Sequence, residues 1–187
     1  MDRVGFIGIG NMGLSMSKNI LNTGYQLTAY DVREEALVEL VDLKAQIATS
    51  PCGVGETSDI VFIMVLNGQQ AKEVVWGNRG LLKGMKPNTT IICTSTIMRS
   101  EIIEIGNVVG DQGVHFVDSP VSGGAPGAAA GTLTMMAAAR KDVLDRCMPV
   151  LEAVGQNIYH VGEEIRMGQT RQSYLIGTDR SYICGYL

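Results

Sequence analysis

The chain carries little of what metal enzymes, nucleic-acid binders or membrane proteins depend on. Its 187 residues include two histidines, His115 and His160, and these stand alone. Zinc sites gather three or four close ligands, so no metal centre is expected. Cys52, Cys93, Cys147 and Cys184 are widely spaced and form no CxxC. Structural disulfides are therefore not expected, and a reducing, cytoplasmic setting fits best. There is no basic run, and the net charge is -4, which removes the electrostatic footprint of a nucleic-acid partner. The longest clean apolar run, Ile60 to Leu66, falls far short of a bilayer, so no membrane partner is expected. The opening MDRVGFIGIG has no positive region leading to a small-residue cleavage site, so it does not read as a secretory leader.

What the chain does have is apolar residues at 45% and 23 glycines. That is enough for a real core with many tight turns, in a length that suits one ordinary domain. Strand and helix patterns alternate along it. Residues 3–9 read as an apolar strand, 11–23 as a helix stopped by Gly24, and 25–31 as a second strand. Residues 34–44 read as a helix with Leu37, Leu40, Val41 and Lys44 in register, acids first and lysine last, as the helix dipole favours. Residues 59–66 are apolar without alternation, the mark of a parallel strand covered on both faces. A helix near 68–76, a strand at 89–96, a helix at 99–109 and a strand at 114–120 follow. Then come a Gly/Ala-rich loop, a strand at 132–138, a helix at 141–154 and a short strand at 157–161. Pro149 inside that last helix implies either a kink or two pieces. The alternation predicts an α/β fold, Rossmann-type and doubly wound, with a mostly parallel sheet.

The first strand runs into Gly8-x-Gly10-x-x-Gly13 and a helix follows. In that context the pattern has a mechanism. Gly8 permits the tight turn, Gly10 lets a diphosphate approach the backbone, and Gly13 lets helix and strand pack closely. The helix N-terminus offers free N–H groups and a partial positive charge to the phosphates. The second strand ends in Asp31, placed to accept hydrogen bonds from both ribose hydroxyls of NAD and to repel the extra phosphate of NADP. NAD is therefore expected over NADP. Arg33 lies two residues on, able to stack on adenine or meet a phosphate. Leu66-Asn67 and Thr96 follow two further strands of the same sheet, where polar groups would face the nicotinamide half; either could equally be an ordinary helix cap or turn. Residues 118–136, DSPVSGGAPGAAAGTLTMM, place the hydroxyl of Ser122 before Gly123 and Gly124. Consecutive N–H groups there suit a carboxylate, and the alternative is a flexible linker.

GFIGIGNMG, AYD, MVLNG, CTSTI and DSPVSGGAPGAAAGTL together resemble the β-hydroxyacid dehydrogenase family, over residues 3 to about 165. That family includes 3-hydroxyisobutyrate dehydrogenase, tartronate semialdehyde reductase and L-threonate dehydrogenase, and it is related to 6-phosphogluconate dehydrogenase. The resemblance implies NAD contacts at Gly8, Gly10, Asn11, Met12, Gly13, Asp31, Arg33, Leu66, Asn67 and Thr96. It implies that Ser122, Gly123 and Gly124 hold the carboxylate of a small hydroxy acid. The implied reaction is reversible hydride transfer between nicotinamide and a hydroxyl-bearing carbon, with the protein supplying orientation and a proton acceptor.

The proton acceptor in the family is a lysine four residues after a glycine, with an asparagine four residues later. In this chain the glycine is Gly168, the lysine position holds Gln172 and the asparagine position holds Ile176. Glutamine does not titrate, and neighbouring Arg171 stays protonated. Losing a positioned acid–base group costs ~10²–10⁴ in rate, so little or no turnover is expected. The stretch after Met167 lacks the apolar periodicity of a long interdomain helix, and Gly177 and Gly185 weaken it. Residues 1–161 read as the dinucleotide-binding domain and 162–187 as an aberrant remnant of the interdomain helix, with no all-helical second domain. A C-terminal part cut short or replaced by frameshift, splicing or an imperfect gene model accounts for this, as does a natural short paralogue. Apolar surface left uncovered by such a loss would favour a homodimer. A non-catalytic dinucleotide-binding module remains the alternative function. A short-chain dehydrogenase is disfavoured, because no Tyr-x-x-x-Lys occurs.

Overall fold

The computed structural model describes residues 1–177; Cys184 and Gly185 lie outside the described residues, as does the side chain of Ile176. Nine strands and eight α-helices alternate along that stretch. They are β1 (Val4–Ile7), α1 (Asn11–Asn22), β2 (Leu27–Tyr30), α2 (Val38–Asp42), β3 (Gln46–Ile47), α3 (Pro51–Thr57), β4 (Ile60–Ile63), α4 (Gly68–Trp76), β5 (Thr90–Cys93), α5 (Arg99–Asp111), β6 (His115–Asp118), β7 (Val121–Ser122), α6 (Gly124–Ala130), β8 (Leu133–Ala138), α7 (Lys141–Leu151), β9 (Gly155–Gly162) and α8 (Met167–Gly177).

The sheet order is β3-β2-β1-β4-β5-β6-β8-β7, with β9 pairing β8. The first six strands are parallel and run 3-2-1-4-5-6, the doubly wound order whose ligands lie along the carboxyl edge. β8 turns antiparallel to β6 and β7, and β9 runs parallel to β8.

The unbroken apolar strands now have their reason. Phe6, Ile60, Phe62 and Ile92 pack with α1, α6 and α7 through Met16, Ile20, Ala128, Leu144 and Cys147 on one face. Ile7, Val61, Ile63, Ile91 and Cys93 pack with α3, α4 and α5 through Val54, Val75, Ile102 and Ile105 on the other. Neighbouring strand residues point to opposite faces, and both faces are dry. Phe6 and Phe62 stack across paired strands with ring centroids 5.5 Å apart.

Four sequence expectations change. Residues 34–44 do not form one helix; a 3-10 turn, Glu34–Leu37, precedes the five-residue α2, because Leu37 and Leu40 are buried while Val38 and Val41 face outward. β3 and α3 are additional elements, α3 being started by Ser50, whose side chain accepts from Gly53 N–H at 3.3 Å, and by Pro51 at the first helical position. The Gly/Ala-rich stretch is helix α6 rather than a loop, closed by Gly131 in the left-handed region at φ 68. α7 stays in one piece, since Pro149 falls in its last turn. No helix among the described residues is long and apolar enough to cross a membrane.

Candidate functional site

Three parallel strands end side by side at β2, β1 and β4, and the residues just past them build one cleft of about 570 Å³. Gly8, Gly10 and Asn11 form its floor, Asp31, Val32 and Arg33 one wall, and Met64 to Leu66 with Gln70, Glu73 and Val74 the other.

Each glycine of the loop has a separate reason. Gly8 sits at φ 97, and a Cβ there would collide with the carbonyl oxygen of Met64. A Cβ on Gly13 would collide with the carbonyl oxygen of Gly8 and crowd the Phe6 ring. Gly10 is different: its φ of -79 suits any residue, and nothing lies within 4 Å of a Cβ placed on it. Folding makes no demand for glycine at Gly10. Gly10 caps α1 without a side-chain hydrogen bond, and the first turn of α1 carries no acid. The N–H groups of Asn11, Met12 and Gly13 belong to the helix start, where no intrahelical partner exists. Open space above unpaired donors and a dipole's positive end is the chemistry of a phosphate cradle, so the donors present fit a dinucleotide diphosphate.

Asp31 is fixed to this loop. Ile9 N–H donates to its Oδ2 at 2.7 Å, and the N–H and Nε–H of Arg33 donate to its Oδ1 at 2.9 and 3.2 Å. Its carboxylate is 7% exposed, whereas the Arg33 side chain is 55% exposed.

A second cleft, about 660 Å³, lies further along the same edge and is bounded by Leu66, Asn67, Thr96, Met98, Glu101 and Ser173. The Asn67 side chain accepts from Gln70 N–H at 2.9 Å, so it caps α4, and the ordinary-cap alternative holds for that oxygen. Thr96 is exposed at the cleft. Met12 is half-buried against the core.

Ser122 lies in β7 opposite Thr134, and Gly123 and Gly124 follow at φ 124 and 58. α8 joins this loop to the dinucleotide edge. Gln172 is buried and its Nε2 donates to Val121 O at 3.2 Å, next to Ser122. Gln169 accepts from Ile97 N–H at 3.2 Å and donates through Nε2 to Ser95 O at 2.9 Å and to Asp118 Oδ1 at 3.0 Å. Burial pushes the Asp118 carboxyl up to about 6, against the opposing pull of N–H donors from Gln169, Arg166 and Gly168. The same burial, then the Asp118 charge, raises the Cys93 thiol to about 12, so it is no nucleophile. Sequence reasoning quoted Asp118 as the opening of the DSPVSGG stretch without giving it a role, and it passed over Gln169, which carries no periodic or motif signal, and over Gln70 and Glu73, which line the first cleft only because α4 docks there. It took the stretch after Met167 as a poor helix. α8 forms nonetheless, held by these side chains and by Gly168, where a Cβ would come within 2.6 Å of Met136 O.

Residues 3–162 match the model of the NAD binding domain of 6-phosphogluconate dehydrogenase. The chain belongs to that family. The chain's relatives include dehydrogenases of small hydroxy acids. A mitochondrial 3-hydroxyisobutyrate dehydrogenase of Mus musculus is 38% identical over 159 residues, 85% of this chain and 48% of its own. An NAD-dependent L-serine dehydrogenase of Pseudomonas aeruginosa is 35% identical over 164 residues, 88% of this chain and 55% of its own. The solved structure of a Mycobacterium tuberculosis 3-hydroxyisobutyrate dehydrogenase with L-serine superposes at TM-score 0.87 and 30% identity, covering 92% of this chain and 58% of its own. The chain thus spans about half the length of the curated relatives it matches, and the likeness to dehydrogenases lies in the N-terminal domain.

Proposed function

We propose that this chain binds NAD along the carboxyl edge of β2, β1 and β4, as the cofactor domain of a hydroxyacid dehydrogenase, and that it turns over little or no substrate. The observation that carries the binding half is Gly10: a glycine with no steric reason inside the protein, standing under open space at the start of α1. Gly8, Gly10, Asn11, Met12 and Gly13 would hold the diphosphate, and Asp31 with Arg33 the adenosine ribose. Leu66, Asn67 and Thr96 would border the nicotinamide half. Bound nicotinamide supplies a hydride acceptor. Ser122, Gly123 and Gly124 would take the carboxylate of a short hydroxy acid such as 3-hydroxyisobutyrate, the substrate type named for the relatives.

The inactivity half rests on Gln172. Its amide holds the Val121 carbonyl and has no proton-accepting pKa, so no group at that position takes the hydroxyl proton. We take residues 1–161 as the dinucleotide unit and α8 as the start of an interdomain helix. The buried Gln172 also favours a second reading, a dinucleotide-binding module without catalysis. Steady-state NADH production from 3-hydroxyisobutyrate and L-serine tests the pair of readings. The expected result is no turnover by the wild type and weak turnover by Gln172→Lys. Brisk wild-type turnover contradicts the inactivity, and a silent Gln172→Lys that still binds NAD favours the module.

A further inference from the structure

The walls of the first cleft fix where the base of a bound dinucleotide goes. The diphosphate takes the floor at Gly8, Gly10 and Asn11, and the ribose takes Asp31. The base is left with Val32 on one side and, on the other, the face of α4 that carries Gln70, Glu73 and Val74. These three stand three and four residues apart, so they share one side of the helix. Val32 is 84% exposed, an apolar plate open to a flat ring, and Val74 is buried on the facing wall.

The two polar side chains of that face differ in what they offer. The Gln70 amide oxygen accepts from Leu66 N–H at 3.0 Å. That bond fixes which way the amide points and turns its N–H donors outward. The Glu73 carboxylate only accepts. It is exposed, a Cβ at Gly77 would run into its Oε1, and the last turn of α4 supplies no basic residue. The carboxylate therefore lies beside the negative end of the helix dipole with no cation of α4 to offset it. The cleft's other acid, Asp31, is already engaged by Ile9 and Arg33. One donor and one acceptor, a helical turn apart, match the adenine edge that presents the N7 acceptor beside the N6 amino donor. Hypoxanthine keeps N7 but carries an oxygen at position 6, which would face the Glu73 carboxylate lone pair to lone pair.

We propose that Gln70 and Glu73 read the base of the nucleotide, Gln70 donating to N7 and Glu73 accepting from the 6-amino group, so that the cleft selects adenine over a 6-oxopurine. This selection rests on the dinucleotide reading above and gives a role to two residues that reading leaves idle.

The test is equilibrium titration of NADH and of reduced nicotinamide hypoxanthine dinucleotide, read by nicotinamide fluorescence, into the full chain, Glu73→Gln and Glu73→Ala, with thermal melts to confirm folding. The two nucleotides differ only in the amino or oxo group at position 6. The wild type should bind NADH roughly tenfold more tightly, the low end for a hydrogen bond to a charged group because Glu73 is exposed. In Glu73→Gln the new amide can donate to the 6-oxo group, so NADH should weaken, the analogue should tighten, and the ratio should fall to about threefold or less. In Glu73→Ala NADH should weaken to within about threefold of the analogue. A purely structural Glu73 would weaken both nucleotides by the same factor and leave their ratio unchanged, which overturns the proposal. So does a wild type that binds both nucleotides equally, with the dinucleotide reading intact. If neither nucleotide binds the folded wild type, the dinucleotide reading fails and the base selection fails with it.

Discussion

Gln169 grips Asp118 twice: its backbone N–H donates to Oδ2 at 3.2 Å and its Nε2 to Oδ1 at 3.0 Å, both in the buried interior. The same amide reaches Ser95 O and Ile97 N–H, so one side chain ties α8, β6 and the loop after β5 together. Gln169→Ala should therefore destabilise the fold by about 2–3 kcal/mol, because it leaves Asp118 Oδ1 and two backbone groups without their partner, while the backbone donors to Oδ2 stay. Urea denaturation reads the change; a loss within experimental error would show that α8 is not part of the cooperative unit.

Asp118 gives the fold a pH signature. Its folded pKa, about 6, stands above the ordinary aspartate value of 3.8, chiefly through burial. A carboxyl raised in this way favours the folded state when protonated. Its contribution is full below about pH 4 and is lost as pH rises through 6. The gap is worth on the order of 3 kcal/mol. Asp59 and Asp142 are shifted downward by Arg3 and Arg140, so their stabilisation is lost only as pH falls below the usual carboxylate range. Between about pH 4 and 6, the window between the two Asp118 values, urea midpoints should rise toward acid. That slope should vanish in Asp118→Asn. A flat wild-type profile contradicts the burial argument.

Gly168 lets α8 lie on the strand ends, where a Cβ would come within 2.6 Å of Met136 O and 2.7 Å of Asp118 O. Overpacking of this kind costs about 1–3 kcal/mol. Gly168→Ala should lose that much stability and expose the chain near Met167 to limited proteolysis. Unchanged protease resistance would contradict the docking.

How much of this was legible in the sequence depended on whether a signal was local. α4 was readable close to its bounds, since Asn67 caps it and Ala71, Val74 and Val75 follow at helical spacing. The glycine loop and Asp31 were readable because their spacing is fixed by one strand, one turn and one helix. α3 was not, because glycines interrupt PCGVGET; its usable cue was Ser50-Pro51. α6 was misread for the opposite reason. Its GAPGAAA has no apolar stripe of any size, yet those small residues let it approach α1, where Asn19 Nδ2 donates to Ala128 O at 2.8 Å. The contact of Asp118 with Gln169 spans 51 residues, and no pattern within one element encodes it. Arg33 was legible as a cation near the ribose, but its grip on Asp31 was not.

The glycines of the loop separate folding from binding. Gly13→Ala should cost stability outright, since its Cβ would meet the Gly8 carbonyl. Gly10→Ala should cost little or none, within about 0.5 kcal/mol, because its backbone suits any residue and its Cβ meets open space. Calorimetric titration of NAD into the wild type and Gly10→Ala therefore bears most directly on the central claim, that the diphosphate rests on the start of α1. The account predicts saturable binding by the wild type and at least roughly tenfold weaker binding by a Gly10→Ala protein that melts at the same temperature. No binding by the wild type at millimolar NAD, or equal binding by both, contradicts it.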